Sequence, residues 1–429
     1  MHSKRVLIAT MSDCIAWASK EISPEEVEQR RAEARRNGRA AWLWPDIDIG
    51  QWRAAVDEIV SVTRHVLTGE PGRGLVCDDA RAMCVAAYSS GMGPLLGLWI
   101  ENGTIHAPRE IEEMLRLHLS HNRRRMAHLS LVLRATVQQL NHGNIAPVII
   151  KGMDIAFRYF PEPGARPLSD IDMFIPADSI PQAELIFSRL GYQRVPRMRA
   201  PYACDWIDPS VRQRPRTLTL VHEGDPWSID VLGSLDKRLP TGAWIRFNAL
   251  ASCTGPADRP AVGRVQIMKQ PLLALYLAVH FSQTLLNATT LRALELVLVI
   301  RRDSALGRFD WADFLRDAAI MGGLRFVYPA LLFTEQLAPG TIPTVVMEAA
   351  AADASNNLRN VLAKLTLATA QPLDRHSVRE RFMWAASWRE CIYQIASELS
   401  LDGRGTPSEV ASYSIGTKLW ALRRRRFSA

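Results

Sequence analysis

Between residues 148 and 232 the spacing of apolar positions switches repeatedly, and the switches outline the elements. Val148-Ile149-Ile150 is a β-branched run closed by Lys151-Gly152, which predicts a buried strand ending in a tight turn where glycine admits a ligand close to the backbone. Residues 153–159 carry apolar side chains at helical spacing, and Pro161, Pro163 and Gly164 stop that helix. Over residues 170–175 the period drops to two. Ile171, Met173 and Ile175 then point to a buried side while Asp170 and Asp172 project together from the other, and Pro176 ends the strand. Residues 227–232 repeat the alternation, placing Ser228 and Asp230 opposite Ile229 and Val231. Residues 217–221, followed by Glu223-Gly224-Asp225-Pro226, predict the first arm of a hairpin whose second arm carries Asp230.

Helical patterns flank this region. Ser23-Pro24-Glu25-Glu26 combines a cap, a first-turn proline and early acids, and Asn37-Gly38 supplies the matching stop. The arginines of that helix, Arg30, Arg31, Arg35 and Arg36, read as a solvated face, with an acidic partner as the alternative. Residues 108–140 form a long amphipathic stretch that delivers the chain to the Lys-Gly strand, and residues 178–190 predict a helix stopped by Gly191. Residues 251–263, rich in Pro and Gly, mark a boundary before apolar helical runs at 271–280 and 290–300. The uncharged stretch 83–100 is broken by Ser89, Ser90, Gly91, Gly93 and Pro94, so it predicts two buried helices and a turn in preference to a membrane span of about 20 residues.

Length and composition narrow the picture. A length of 429 residues leads one to expect two or three domains, and 48% hydrophobic content is ample for globular cores. The six cysteines form no CxxC pair and read as reduced thiols of a cytoplasmic protein; the apolar run after Lys4-Arg5 is cut short by Asp13 before it resembles a signal peptide. The excess of 52 basic over 44 acidic side chains, a formal +8, favours an anionic partner. Arg194, Arg197, Arg199, Arg212, Arg214 and Arg216 suit either the acceptor side of a cleft or a flexible basic loop. Arg423 to Arg426, beside Trp420 and Phe427, suit a solubilising tail or a contact with an anionic surface. No nucleic-acid-binding motif is present, and no stable membrane association is expected.

The candidate chemistry lies in Asp170-Ile171-Asp172. Two carboxylates about 7 Å apart along a strand face can each reach a divalent cation. Asp230 offers a third. A second copy of the pattern, Asp46-Ile47-Asp48, sits between Trp44-Pro45 and Gly50 without an upstream Lys-Gly turn, which predicts turn or helix-cap chemistry. His118, His121 and His128 lack the carboxylate or cysteine that would complete a metal set. His280 reads as an interior histidine held by hydrogen bonding.

With Lys151, Gly152, Tyr159, Pro161, Pro163, Arg166, Asp170 and Asp172 in this order, the chain resembles the polymerase-beta-like nucleotidyltransferase superfamily. It is most similar to a poorly characterised branch with Lys-Gly in place of the usual Gly-Ser, and the resemblance covers roughly residues 108 to 340. It implies an α/β (α+β) fold class: a nucleotidyltransferase core with a small mixed sheet, flanked by helical N- and C-terminal regions. The corresponding divisions are a helical extension (1–107), a catalytic core (108–250), a helical C-terminal domain (264–400) and a basic tail (401–429). The resemblance further implies that Asp170, Asp172 and Asp230 are catalytic and hold Mg²⁺, for which Mn²⁺ can substitute. Lys151, Gly152, Arg166 and Ser169 would bind the nucleotide, with His280, Arg292 and Glu295 placed to face it. The expected activity is transfer of a nucleoside monophosphate from an NTP, such as ATP, to a hydroxyl of a small molecule, peptide or protein, with a peptide or an acidic or phosphorylated molecule among the acceptors, releasing pyrophosphate. The alternatives are a noncatalytic anion- or nucleotide-binding protein on the same fold, and transfer of the terminal phosphoryl group.

Overall fold

A computed structural model describes residues 15–69, 73–196, 203–238, 243–259, 262–370, 382–385 and 387–399. Cys14, Arg197, Arg199 and the arginines at 423–426 lie outside the described residues. The N-terminal part is helical, with α1 (Pro24–Asn37), α2 (Ile49–Thr68), α3 (Ala80–Ser89) and α4 (Gly93–Glu101). The cap signals act as expected. Ser23 accepts the Glu26 N–H at 3.1 Å and Gly38 ends α1 in the left-handed region, while Asp48, from the second Asp-x-Asp copy, caps α2 by accepting from Gln51 at 3.0 Å.

The 34-residue α5 (Arg109–His142) is about 50 Å long and forms a spine between two apolar clusters. Its first half buries Ile111, Met114, Leu115 and Leu119 in a large cluster that also takes in α1 to α4 and the C-terminal helices. Its second half presents Met126, Leu129, Leu133, Val137 and Leu140 to the sheet. The sheet comprises β1 (Val148–Ile149), β2 (Asp170–Phe174), β3 (Gln193–Pro196), β4 (Ala203–Ile207) and β5 (Ser228–Leu232), completed after a separate two-stranded ribbon, β6 (Lys237–Arg238) and β7 (Trp244–Ile245), by β8 (Thr254–Arg259) and β9 (Gly263–Met268). Its seven strands run in the order β3-β4-β5-β2-β1-β9-β8 and are mixed in direction. β2 is antiparallel to β1 and parallel to β5, so Asp172 stands directly across from Asp230. Ile171, Met173, Ile229 and Val231 fill the opposite face, against α5 and α7 (Ile180–Arg189). Between β1 and β2 lies α6 (Gly152–Tyr159), and α8 (Leu272–Gln283) and α9 (Thr290–Ala305) follow the sheet.

Two local expectations are corrected. Residues 217–221 do not form a hairpin arm; β5 instead pairs antiparallel with β4. The reason is local satisfaction by side chains. The Thr217 hydroxyl accepts from the Leu220 N–H at 3.0 Å, and the Asp225 carboxylate takes the N–H groups of Arg216 and His222 at 2.9 and 3.0 Å, so the backbone there has no need of a strand partner. The Pro/Gly-rich boundary at 251–263 contains β8 and the start of β9. Pro256 is tolerated because β8 is the sheet's edge. β9 buries Val265 and Met268 and runs parallel to β1. The stretch 83–100 becomes α3 and α4, largely buried and bent by 115°. Among the described residues no single helix is long and apolar enough to cross a membrane, although that bent pair passes by length and composition together.

Candidate active site

The site starts at a forced turn. Lys151 has φ 50° and ψ −127°, a conformation L-residues avoid at a cost of about 1–3 kcal/mol unless the surroundings impose it. Two backbone bonds impose it here: Ile150 N–H donates to the Asp172 carbonyl at 3.1 Å, and Ile155 N–H to the Lys151 carbonyl at 2.9 Å as α6 begins. Gly152 follows because nothing larger fits. A Cβ at that position would lie 2.4 Å from Leu168 Cδ2 and 2.6 Å from Arg166 Nη1. The turn thereby aims the Lys151 ammonium at the Asp172 carboxylate, to which it is hydrogen-bonded.

Strand register then assembles three acids. Oxygens of Asp170, Asp172 and Asp230 all lie within 4.8 Å of one another. Asp172 and Asp230 are 4% and 5% exposed, so their charges sit largely out of water and call for a cationic counterpart. Burial raises the Asp172 carboxyl above its ordinary value; the Lys151 ammonium opposes the shift, and the charge of Asp170 adds to it. For Lys151 burial works against the charge, yet Asp172, together with Tyr276 and Asp170, outweighs it and holds the ammonium protonated well above the usual lysine range. The Ser228 hydroxyl donates to Asp230 Oδ1 at 3.2 Å.

A cationic wall faces these acids. Arg166 donates from Nε to Glu295 Oε1 at 2.7 Å, which fixes the guanidinium on α9. Arg292 donates to the Thr284 hydroxyl, and burial lowers its pKa, with Glu295 opposing. The Lys237 ammonium sits 4.3 Å from the centre of the Tyr276 ring; burial and the neighbouring Lys151 push its pKa well down, against the pull of Asp172. Burial, then Lys237, Lys151 and Arg292, hold His280 neutral. His280 thus lies within electrostatic reach of Lys151, Arg292 of Asp170 and Asp172, and Glu295 holds Arg166. Ser169 is exposed and lines an adjacent cavity.

Other expected groups are placed elsewhere. Arg194 pairs with Glu184 at 3.0 Å, Arg214 with Glu28 at 3.3 Å, and Arg212 and Arg216 with Glu21 at 3.5 and 2.9 Å. These last three clamp the 212–216 segment to the acids of and before α1 instead of presenting an open basic face. His118 is fully buried and His121 stacks near His222, with ring centres 4.5 Å apart. His128 meets the Trp227 ring edge-on at 5.8 Å. Among the described residues the three aspartates are the group of acids, histidines or cysteines with metal-holding geometry. The cysteines described, Cys77, Cys84, Cys204, Cys253 and Cys391, are unbridged.

Three contributors escaped sequence reasoning. Lys237 and Tyr276 are brought to the site by the chain's return after β5, and no local pattern announces either. Arg125 is more telling: 3% exposed on α5, it donates to the carbonyls of Leu168, Asp225 and Pro226 at 2.7, 2.5 and 2.7 Å. One guanidinium therefore ties the segment entering β2 to the segment entering β5. Its signal was an arginine on the apolar stripe between Asn122 and Met126. Tyr159 plays a similar part for α6, donating to Asp303 Oδ2 on α9 at 2.7 Å.

The mixed sheet, with its parallel β2–β5 pair carrying acids beside a Lys-Gly turn, is a nucleotidyltransferase-like fold. A family model described as "Uncharacterised nucleotidyltransferase" matches residues 85–339, more than half of the chain, and the chain belongs to that family. Among solved structures it is similar to "an antigenic nucleotidyltransferase-like protein from Paracoccidioides brasiliensis", at 11% identity over 52% of this chain and 92% of the other, with a TM-score of 0.28. That likeness is too slight to carry an argument. No curated protein matches the chain.

Proposed function

We propose that the protein is a Mg²⁺-dependent nucleotidyltransferase that moves a nucleoside monophosphate from an NTP to a hydroxyl acceptor and releases pyrophosphate. The observation that carries this reading is the convergence of three carboxylates within 4.8 Å, opposite the Lys151 turn. A set of hard oxygen donors, two of them buried, suits Mg²⁺ and not a softer metal. Asp170, Asp172 and Asp230 would hold the cation, which supplies Lewis-acid charge neutralisation of the phosphates.

The remaining work belongs to the chain's own side chains. An incoming triphosphate offers Lys151 a second anionic partner, Arg166 and Arg292 add positive charge around it, and the arriving phosphate charge favours protonation of Lys237, whose pKa burial and Lys151 otherwise push down. The acceptor oxygen attacks the α-phosphorus in line. Its proton passes to Asp230, the bond from the α-phosphorus to the bridging oxygen breaks, and pyrophosphate leaves with that electron pair. Rate enhancement then rests on positioning and on fixed charge in a site largely closed to water.

Incubation with α- and γ-labelled NTPs tests the reading. Label from the α-position should appear in an acceptor while the γ-label leaves as pyrophosphate. Asp170→Asn should lower turnover by at least about 100-fold with the far-UV spectrum unchanged. Transfer of the γ-label, or full activity in that variant, would reject the assignment.

A further inference from the structure

A cavity of about 350 Å³ opens beside Ser169, the residue preceding Asp170. Its size falls at the small end of ligand sites, roughly 300–1,000 Å³. Its wall draws on separate parts of the chain: Arg31 of α1, Tyr88 of α3, Arg125 of α5, Ser169 before β2 and Asp225 before β5. Some of these polar groups are already committed. Arg125 spends its guanidinium on three carbonyls, and each oxygen of Asp225 accepts a backbone N–H. The Arg31 guanidinium, the Tyr88 hydroxyl and the Ser169 hydroxyl are different: none of them makes a hydrogen bond or ion pair among the described residues. Two guanidinium groups against one carboxylate leave the cavity with one uncompensated positive charge.

We propose that this cavity is the acceptor site and that it takes a small hydroxylated anion. The anion's carboxylate or phosphate pairs with Arg31 and receives the Tyr88 O–H, and its hydroxyl passes Ser169 into the acidic cluster, where Asp230 takes its proton. The inference rests on the nucleotidyl-transfer reading and names the acceptor class for that site. Arg125 stands within electrostatic reach of both Asp170 and Asp225, which ties the cavity to the acidic cluster. The placement of Arg31 is built, not incidental. Arg216 and Arg212 bind Glu21, Ile22 N–H donates to the Arg216 carbonyl at 2.8 Å, and Trp44 Nε1 donates to the Leu218 carbonyl at 2.6 Å, so the stretch 21–44 that carries Arg31 is pinned across the segment that walls the cavity. The family match begins at residue 85, so Arg31 of α1 lies outside it while Tyr88 and Ser169 lie within it.

Titration calorimetry on the full chain tests this with glycerol 3-phosphate and glycerate, which separate phosphate from carboxylate, and with neutral glycerol. At least one anion should bind saturably and glycerol should not. Arg31→Gln should weaken the anion by about tenfold or more, Tyr88→Phe by about two- to fivefold, and Arg31→Lys should retain part of the affinity. Arg35→Gln removes the same charge from an exposed position on the same helix and should leave binding as in the wild type. Equal losses in Arg31→Gln and Arg35→Gln, no loss in Arg31→Gln, or no binding of either anion would overturn the proposal. Binding of Mg²⁺ with ATP is measured on the wild type alone. Nucleotide bound without anion overturns the acceptor assignment only, and anion bound without nucleotide overturns the transfer reading.

Discussion

Gly152 shows how little freedom the site leaves a single residue. A Cβ there would meet Leu168 and Arg166 at distances no Cβ tolerates, and because Arg166 is itself fixed by Glu295 it cannot yield without moving the wall that faces the acids. Gly152→Ala should therefore cost about 1–3 kcal/mol in urea unfolding, with the slope unchanged, and should weaken nucleotide binding through the displaced Arg166. An unaltered midpoint would mean that the packing there is looser than the distances imply. At this scale the sequence was informative where chemistry and period coincided. Asp170 and Asp172 were legible because a strand's alternation puts them on one face, and Asp48 because a carboxylate before a helix caps it. Lys237 was not legible, since a lone lysine in Ser234-Leu235-Asp236-Lys237-Arg238 has the local pattern of a solvated turn.

Among the elements, α5 does the most. It joins the two apolar clusters and carries Arg125, and near its middle it buries His118, whose Nδ1 accepts the Val221 N–H at 3.3 Å. Burial first, and then the nearby His121, push the His118 imidazole down to about 3 from its ordinary 6.5. The folded state therefore binds this proton less readily than the unfolded chain. Stability from a neutral His118 is complete above pH 6.5 and is lost as pH falls toward 3, by up to about 1.4 kcal/mol per pH unit. His118→Gln should be less stable at pH 7 but should show a shallower decline on acidification. Parallel curves for the two proteins between pH 6 and 4 would refute this. Helix α5 was readable from its apolar stripe and α1 from its caps. The hairpin expected at 217–221 was not there, because side-chain acceptors satisfied the backbone that a strand partner would otherwise have paired.

For the whole molecule, the acids and the cations come from regions far apart in the chain, and folding must hold like charges together on each side. Lys151, Lys237, Arg166 and Arg292 cluster at one end of the sheet, and the three aspartates crowd beside them. Ligands that neutralise both sets should stabilise the native state. Mg²⁺ with ATP at about 100 times its dissociation constant should add about 2.7 kcal/mol, seen as a rise in the thermal unfolding midpoint that EDTA reverses. Asp170→Asn should lose most of that rise. A midpoint indifferent to both ligands would leave the cluster without a nucleotide role.

By itself the sequence determined the local devices: the Lys-Gly turn, the alternating strand with its paired carboxylates, the capped helices and the resemblance those residues carry. Each depends on neighbours a few positions away, through backbone period, cap chemistry or steric permission at glycine. Only the tertiary structure decided that Asp230 stands across from Asp172, that β9 completes the sheet beside β1, that Lys237 packs on Tyr276 beside Lys151, and that Arg31 reaches the cavity beside Ser169. Those outcomes depend on strand register and on helix docking across long stretches of chain. They are set by how the apolar faces are jointly buried, which no local window of residues can specify.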